Sequence, residues 1–183
     1  MNLYSKYKFE QMSDCPMVFA VDADEFVASP VLLYDHACSG GFDYVRGRLV
    51  DRFAFKGQTK EISLAEDIFL QFPLCSEFSW DALGALQSKT PLSKPGVAYG
   101  VGLHKVIEPE KWSKPDGEIM VHHFKWTAGI IQKIRHRLER NQGSGSFIAE
   151  QYKKECRWFL ENHVSNETTI NLNDIDTWYQ PHP

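Results

Sequence analysis

The 183-residue sequence has no apolar run that approaches the length of a membrane span. Its first residues, Met-Asn-Leu-Tyr-Ser-Lys-Tyr-Lys, carry no apolar signal core. The four cysteines, Cys15, Cys38, Cys75 and Cys156, lie far apart and form no C-x-x-C pair. That spacing implies neither a zinc knuckle nor a disulfide framework, and buried, reduced thiols of a cytoplasmic protein are the expectation. Basic residues are not in excess. The net charge of -4 argues against a general nucleic-acid binder, which carries a basic stripe. Asn166-Glu167-Thr168 matches a glycosylation sequon, which is uninformative without a secretion signal. There is no internal repeat and no low-complexity tract.

What is present is the composition of a globular chain, 43% hydrophobic and 24% charged, long enough for one domain with a real core. Aromatics at 13% fit a large aromatic core and, equally, a surface on which sugars stack. The organising stretch is Val18-Phe19-Ala20-Val21-Asp22-Ala23-Asp24-Glu25-Phe26. Four apolar residues read as a strand buried on both faces, as in a parallel sheet, and the acidic cluster falls at its carboxyl end, where open α/β sheets bind ligands. In an extended chain Asp22 and Asp24 share a face, so both carboxylates reach one hard cation. Mg²⁺ and Mn²⁺ suit such oxygen ligands and are completed by substrate phosphates. The plain structural reading is that Asp and Glu after a strand are turn and capping residues.

Along the chain, residues 1 to 17 form a polar and aromatic lead-in. Ser29-Pro30 opens a helix, with Ser as cap and Val31, Leu32, Ala37 and Cys38 as its apolar face, ended by Gly40-Gly41. Tyr44 to Phe53 reads as a strand, and Phe55 to Gln58 as a turn. Ser63 and Glu66 have capping-box spacing for a short helix to about Leu70. Pro73, Pro91 and Pro95 make residues 71 to 96 a loop. Val97–Tyr99 and His104–Ile107 are short strand candidates, and Pro109 to Gly117 is a turn-rich connection. Ile119 to Phe124 is a strand. Thr127 caps a helix to about Arg140 with Ile130, Ile131, Ile134 and Leu138 on one face. After Gly143–Ser146, a last helix runs from Phe147 to His163, with Ile148, Tyr152, Cys156, Phe159 and Leu160 at helical spacing. The expected organisation is one domain over residues 1–165, followed by an irregular tail over 166–183.

Together these pieces resemble a branch of the family 2 glycosyltransferases with the GT-A fold. The resemblance lies in Val21-Asp22-Ala23-Asp24-Glu25-Phe26, Gly47-Arg48-Leu49-Val50-Asp51-Arg52-Phe53, Gln71-Phe72-Pro73, Gly102-Leu103-His104 and His123-Phe124-Lys125-Trp126, in that order over about residues 18 to 155. It implies an α/β fold, a GT-A-like (Rossmann-like) mixed sheet flanked by helices. It implies metal-dependent transfer of a sugar from a nucleotide-sugar donor to a glycan or other hydroxyl acceptor, generally with inversion. Mn²⁺ or Mg²⁺ would neutralise the departing diphosphate. By the same resemblance Asp22 and Asp24 are the metal and donor-diphosphate residues, with Asp24 the direct ligand and Glu25 positioning them. His104 is a further metal ligand, or a strand histidine bonded to backbone. His122 and His123 point to opposite faces of their strand. The family pattern favours His123, with Lys125 and Trp126 as diphosphate and sugar contacts. The bland alternatives are a packing role for Trp126 and a solvated Lys125. Asp51 is the first candidate for the base that takes the acceptor's proton. An ion pair with Arg52 or Arg48 accounts for it equally well. Glu66, Asp67, Glu77 and Asp81 are further candidates.

One departure from the family stands out. Only residues 1 to 17 precede the metal motif, so the nucleotide-binding strands that come first in these enzymes have no counterpart. This predicts an exposed sheet edge and an apolar patch, or a partner chain or oligomer that covers them. Two other readings remain. One is an inactive remnant that binds sugar or protein. The other, ranked well below, is a phosphohydrolase of the haloacid dehalogenase type, with an aspartyl nucleophile in the D-x-D; that class needs a downstream lysine and an acidic pair on another strand, and the sequence offers no convincing acidic pair.

Overall fold

The computed structural model describes residues 16–79 and 86–182, without the side chains of Val101, Phe147 and Ile148. The residue 1–15 lead-in and Asp81 lie outside them. The chain is mixed α/β. In order, its elements are β1 (Val18–Phe19), β2 (Glu25–Val27), α1 (Pro30–Ser39), β3 (Tyr44–Phe53), α2 (Ile68–Gln71), β4 (Leu74–Ser76), β5 (Ser88–Ser93), β6 (Ile119–His123), α3 (Ile130–Asn141), α4 (Phe147–Asn162), β7 (Val164–Asn166), β8 (Thr169–Ile170) and β9 (Trp178–Tyr179). They divide into two compact units, which cut across the expected 1–165 domain. The first takes in the described residues of Met1–Leu49 and Leu86–His123, and the second those of Val50–Ala85 and Phe124–Pro183.

In the first unit β5 is the central strand. It pairs antiparallel with β1 (Val18↔Ser93, Phe19↔Leu92) and with the first part of β3 (Val45↔Leu92, Gly47↔Lys89, Arg48↔Ser88). The register shifts between Val45 and Gly47. A Cβ on Gly47 would come within 2.6 Å of Val121 and 3.2 Å of Pro91, so glycine is what lets these side chains close over β3. β2 pairs antiparallel with β6. Met17, Leu33, Ala37, Val45 and Leu92 form one core, and Tyr44, Val97, Tyr99 and Val106 a second.

Three sequence expectations are corrected here. β1 is not a doubly buried strand of a parallel sheet. It is a two-residue edge strand, and from it into the following residues Val18 and Ala20 are buried while Phe19 and Val21 are exposed. Apolar residues on both faces hid that alternation. In α1 the buried residues are Leu33 and Ala37, whereas Val31 and Leu32 are each 70% exposed and Cys38 is also exposed. Ser29 precedes Pro30 as expected, but it sits at φ 49° and its side chain makes no capping bond. β5, finally, runs through a stretch expected to be loop. Pro91 has no amide to give, yet its carbonyl accepts from Ala20 N at 2.8 Å. An exposed edge and exposed apolar residues, Phe19, Val21, Phe26, Val31, Leu32 and Met120, are present among the described residues of this unit.

In the second unit the last residues of β3 pair antiparallel with β4, and β4 with β9. Helices α3 and α4 supply Ile130, Ile131, Ile134, Cys156 and Phe159 to a core shared with Phe53, Phe78, Trp126 and Ile170. The α3 face is the one its spacing predicts, although its cap is Gly129 rather than Thr127. Ser146 caps α4, accepting from Ala149 N at 3.2 Å. Tyr152 is exposed on that helix. The Ser63 capping box is not formed, because Ser63 N and O are both bonded to the buried Gln71 amide. Asp67 instead caps α2, with Oδ1 accepting from Phe69 N at 2.7 Å. Beyond residue 165 the chain is not uniformly irregular: β8 and β9 are paired strands. Cys75 and Cys156 are buried, and burial raises the pKa of each thiol. Among the described residues no helix is long and apolar enough to cross a membrane.

Candidate functional site

The D-x-D-E stretch is a turn, not an extended strand. Glu25 N donates to Asp22 O at 3.0 Å, and Asp22 N donates to Glu25 Oε2 at 2.9 Å. This closed Asp22–Glu25 turn ends the alternation that would have put Asp22 and Asp24 on one face. The two aspartates consequently have different partners.

Asp22 turns toward Lys89 of β5. The Lys89 ammonium lies 2.7 Å from Asp22 Oδ2 and 2.7 Å from Glu25 Oε1. Lys89 and Glu25 are 1% and 3% exposed at their side chains, whereas Asp22 is 61% exposed. A buried ammonium is tolerated only with counter-charges at hydrogen-bond distance, and this one has two. The pair fixes the turn from below and leaves an excess negative charge at its surface.

Asp24 turns the other way, toward β6. The register Glu25↔His123 brings the end of β6 beside the turn. His123 Nε2 then lies 3.5 Å from Asp24 Oδ2, with His123 16% and Asp24 49% exposed. Its neighbour His122 points to the opposite face and is fully buried. A carboxylate oxygen and an imidazole nitrogen at this separation are two potential donors; the carboxylate suits Mg²⁺ or Mn²⁺, whereas the imidazole alone does not select them.

The remaining expected residues are placed elsewhere. His104 does not join Asp22 and Asp24 in a metal trio: among the described residues no three His, Cys, Asp or Glu side chains are grouped to hold an ion. His104 is instead locked to β5. Its Nδ1 lies 2.7 Å from Ser88 O, and Ser88 Oγ donates to His104 O at 2.7 Å. Since a carbonyl only accepts, Nδ1 carries the proton. The ring edge lies over Gly102, where a Cβ would fall 2.8 Å from Nε2.

Asp51, Lys125 and Trp126 belong to the second unit. The Asp51 carboxylate is buried, with Oδ2 accepting from Ser79 N at 2.6 Å and Oδ1 from Ser79 Oγ at 3.0 Å. A general base must reach a substrate hydroxyl, and in this geometry both Asp51 oxygens hold the Ser79 segment instead. Arg52 is fully buried, donating to the carbonyls of Phe72 and Gln180, and burial lowers its pKa. Trp126 is not a surface platform for a sugar. It is fully buried and stacked between Phe53 at 5.5 Å and Phe159 at 5.3 Å. The Lys125 ammonium sits 4.8 Å from the Trp126 ring centroid.

No family model matches this chain. No curated protein and no solved structure matches it either.

The functional residue that the sequence did not disclose is Lys89. It sits in Ser88-Lys89-Thr90-Pro91, where proline and polar neighbours signal a loop. Its one available signal was the need of a strand carrying three carboxylates for a cation.

Proposed function

We propose that the chain carries the metal and diphosphate site of a glycosyltransferase that uses a nucleotide-sugar donor, on a GT-A-like (Rossmann-like) framework, with a glycan or other hydroxyl compound as acceptor. The observation that carries this reading is the convergence of Asp24 with His123 beside a turn held by buried Lys89. Asp24 and His123 are the residues that would hold Mn²⁺ or Mg²⁺. That ion would supply charge neutralisation for a leaving nucleoside diphosphate. Lys89 and Glu25 keep the turn closed, so that Asp24 is presented to solvent rather than folded under. Asp22, paired on one oxygen by Lys89, keeps an exposed carboxylate at the same turn. Neither Asp51 nor Trp126 is part of this reading. The test is a Mn²⁺ titration in the presence of UDP, followed by paramagnetic broadening of assigned NMR signals. Asp24 and His123 signals should broaden first, and an unselective response would defeat the reading.

One observation favours a second reading. Lys89, bonded to Asp22, is the downstream lysine that a phosphohydrolase with Asp22 as nucleophile requires. The antiparallel setting of β1, and the absence among the described residues of any group of three His, Cys, Asp or Glu side chains placed to hold Mg²⁺, rank it lower. Turnover of p-nitrophenyl phosphate with Mg²⁺, lost in Asp22→Asn, would reverse that ranking.

A further inference from the structure

The first unit contains a cavity of about 380 Å³ whose charged and titratable lining groups are Arg46, Lys89, His104, Lys105 and Lys114. Among the described residues no carboxylate lines it. In a chain of net charge -4, five basic groups around one cavity is a local reversal of sign. Two of the five are already neutralised: Lys89 by Asp22 and Glu25, and Arg46 by Glu118, with Nη2 2.7 Å from Oε1. Lys105, which is exposed, and Lys114, which is half-buried, join none of the ion pairs among the described residues. His104 is fixed in the wall through Nδ1, while its Nε2 makes no hydrogen bond among the described residues. The rest of the wall is largely apolar, with Tyr44, Val106 and Pro109. The backbone beside it is strained. Leu103 adopts φ 62°, a conformation uncommon for a residue with a side chain, and one that recurs at binding sites.

We infer that this cavity binds a small phosphate-bearing molecule, with the phosphate on Lys105 and Lys114 and the organic body against Tyr44, Val106 and Pro109. Like charges gathered in a partly enclosed space repel one another, and an anion removes that cost while forming charge-assisted bonds. The site needs no divalent ion and does not use Asp24, although Lys89 lines the cavity and also anchors the acidic turn.

The test is an NMR titration of the full chain with inorganic phosphate and then pyrophosphate, in chloride buffer with a chelator present. Saturable shifts at Lys105, Lys114, His104 and Ser88 are expected, with pyrophosphate tighter than phosphate. Lys105→Ala/Lys114→Ala should weaken pyrophosphate by about tenfold or more, since each lost charge-assisted bond contributes on that scale. Lys105→Arg/Lys114→Arg should retain binding, and Asp24→Ala should bind like wild type. Circular dichroism melting confirms that each variant is folded. Shifts that do not saturate, or a folded double-alanine variant that binds like wild type, would overturn the inference. Loss of UDP binding in Asp24→Ala with pyrophosphate binding intact separates this site from the metal-dependent one.

Discussion

The Lys89 ammonium lies 2.7 Å from Glu25 Oε1, and both side chains are buried. This pair joins β5 to the acidic turn, and Asp22 completes it from the solvent side. Breaking a buried ion pair by removing one member leaves an uncompensated charge, which costs about 3–5 kcal/mol. Lys89→Met should therefore lower the melting temperature by roughly 10 °C. Adding Glu25→Gln to Lys89→Met should restore part of the loss, because the stranded carboxylate is gone. A thermal melt of the two single variants and the double variant measures the coupling. A double variant no more stable than Lys89→Met would show that the pair does not carry this energy.

Asp43 offers a pH test in the first unit. Lys94 Nζ lies 2.8 Å from its Oδ1, and Ser113 N and Oγ both donate to its Oδ2 at 2.8 Å. These bonds, the Lys94 bond first, hold the carboxyl at about 2, against an ordinary value of 3.8. A folded-state value below the unfolded one adds stability that is present above about pH 4 and is lost as pH falls toward 2. Asp43→Asn should lower stability at neutral pH. Its curve should then converge with wild type between about pH 4 and 2. Urea melts at pH 7, 4 and 2.5 test this, and parallel curves would contradict it.

Trp126 separates a packing role from a sugar-binding one. Its ring is sandwiched by Phe53 and Phe159 and is closed to solvent. Trp126→Ala should cost about 3–5 kcal/mol, and Trp126→Phe less. A folded Trp126→Phe protein should bind UDP with Mn²⁺ as wild type does. Calorimetry that showed binding lost with the fold intact would return Trp126 to the site.

Much of the framework was legible because its patterns are local. β3 carries its own β-rich run, β6 its alternating histidines, and α3 its isoleucine stripe at helical spacing. Strand alternation told His123 from His122, but the Asp24–His123 contact itself comes from the β2–β6 register, where the sequence had grouped Asp24 with Asp22 and His104. What escaped depends on partners distant in sequence. β5 has three buried polar residues, Lys89, Thr90 and Ser93, and a proline, so nothing in Ser88–Ser93 announces a central strand. Lys89 is buried only because Asp22 and Glu25 reach it from the turn after β1. The acidic stretch misled for a related reason: the Glu25 side chain closes a turn on the Asp22 amide, a competition between side chain and backbone that periodicity does not register. Trp126 and Asp51 were misassigned because an aromatic or a carboxylate near a motif reads the same whether it faces a ligand or the core.

The central claim is that Asp24 and His123 hold a cation for a nucleoside diphosphate. Calorimetric titration of UDP and GDP into the full chain, with and without Mn²⁺, on wild type and Asp24→Ala, tests it most directly. The account predicts binding by wild type that requires Mn²⁺ and is abolished in Asp24→Ala, which keeps its melting temperature because Asp24 is exposed and outside the Lys89 pair. Nucleotide binding that is indifferent to Mn²⁺, or equal in the two proteins, or absent from folded wild type, would contradict it.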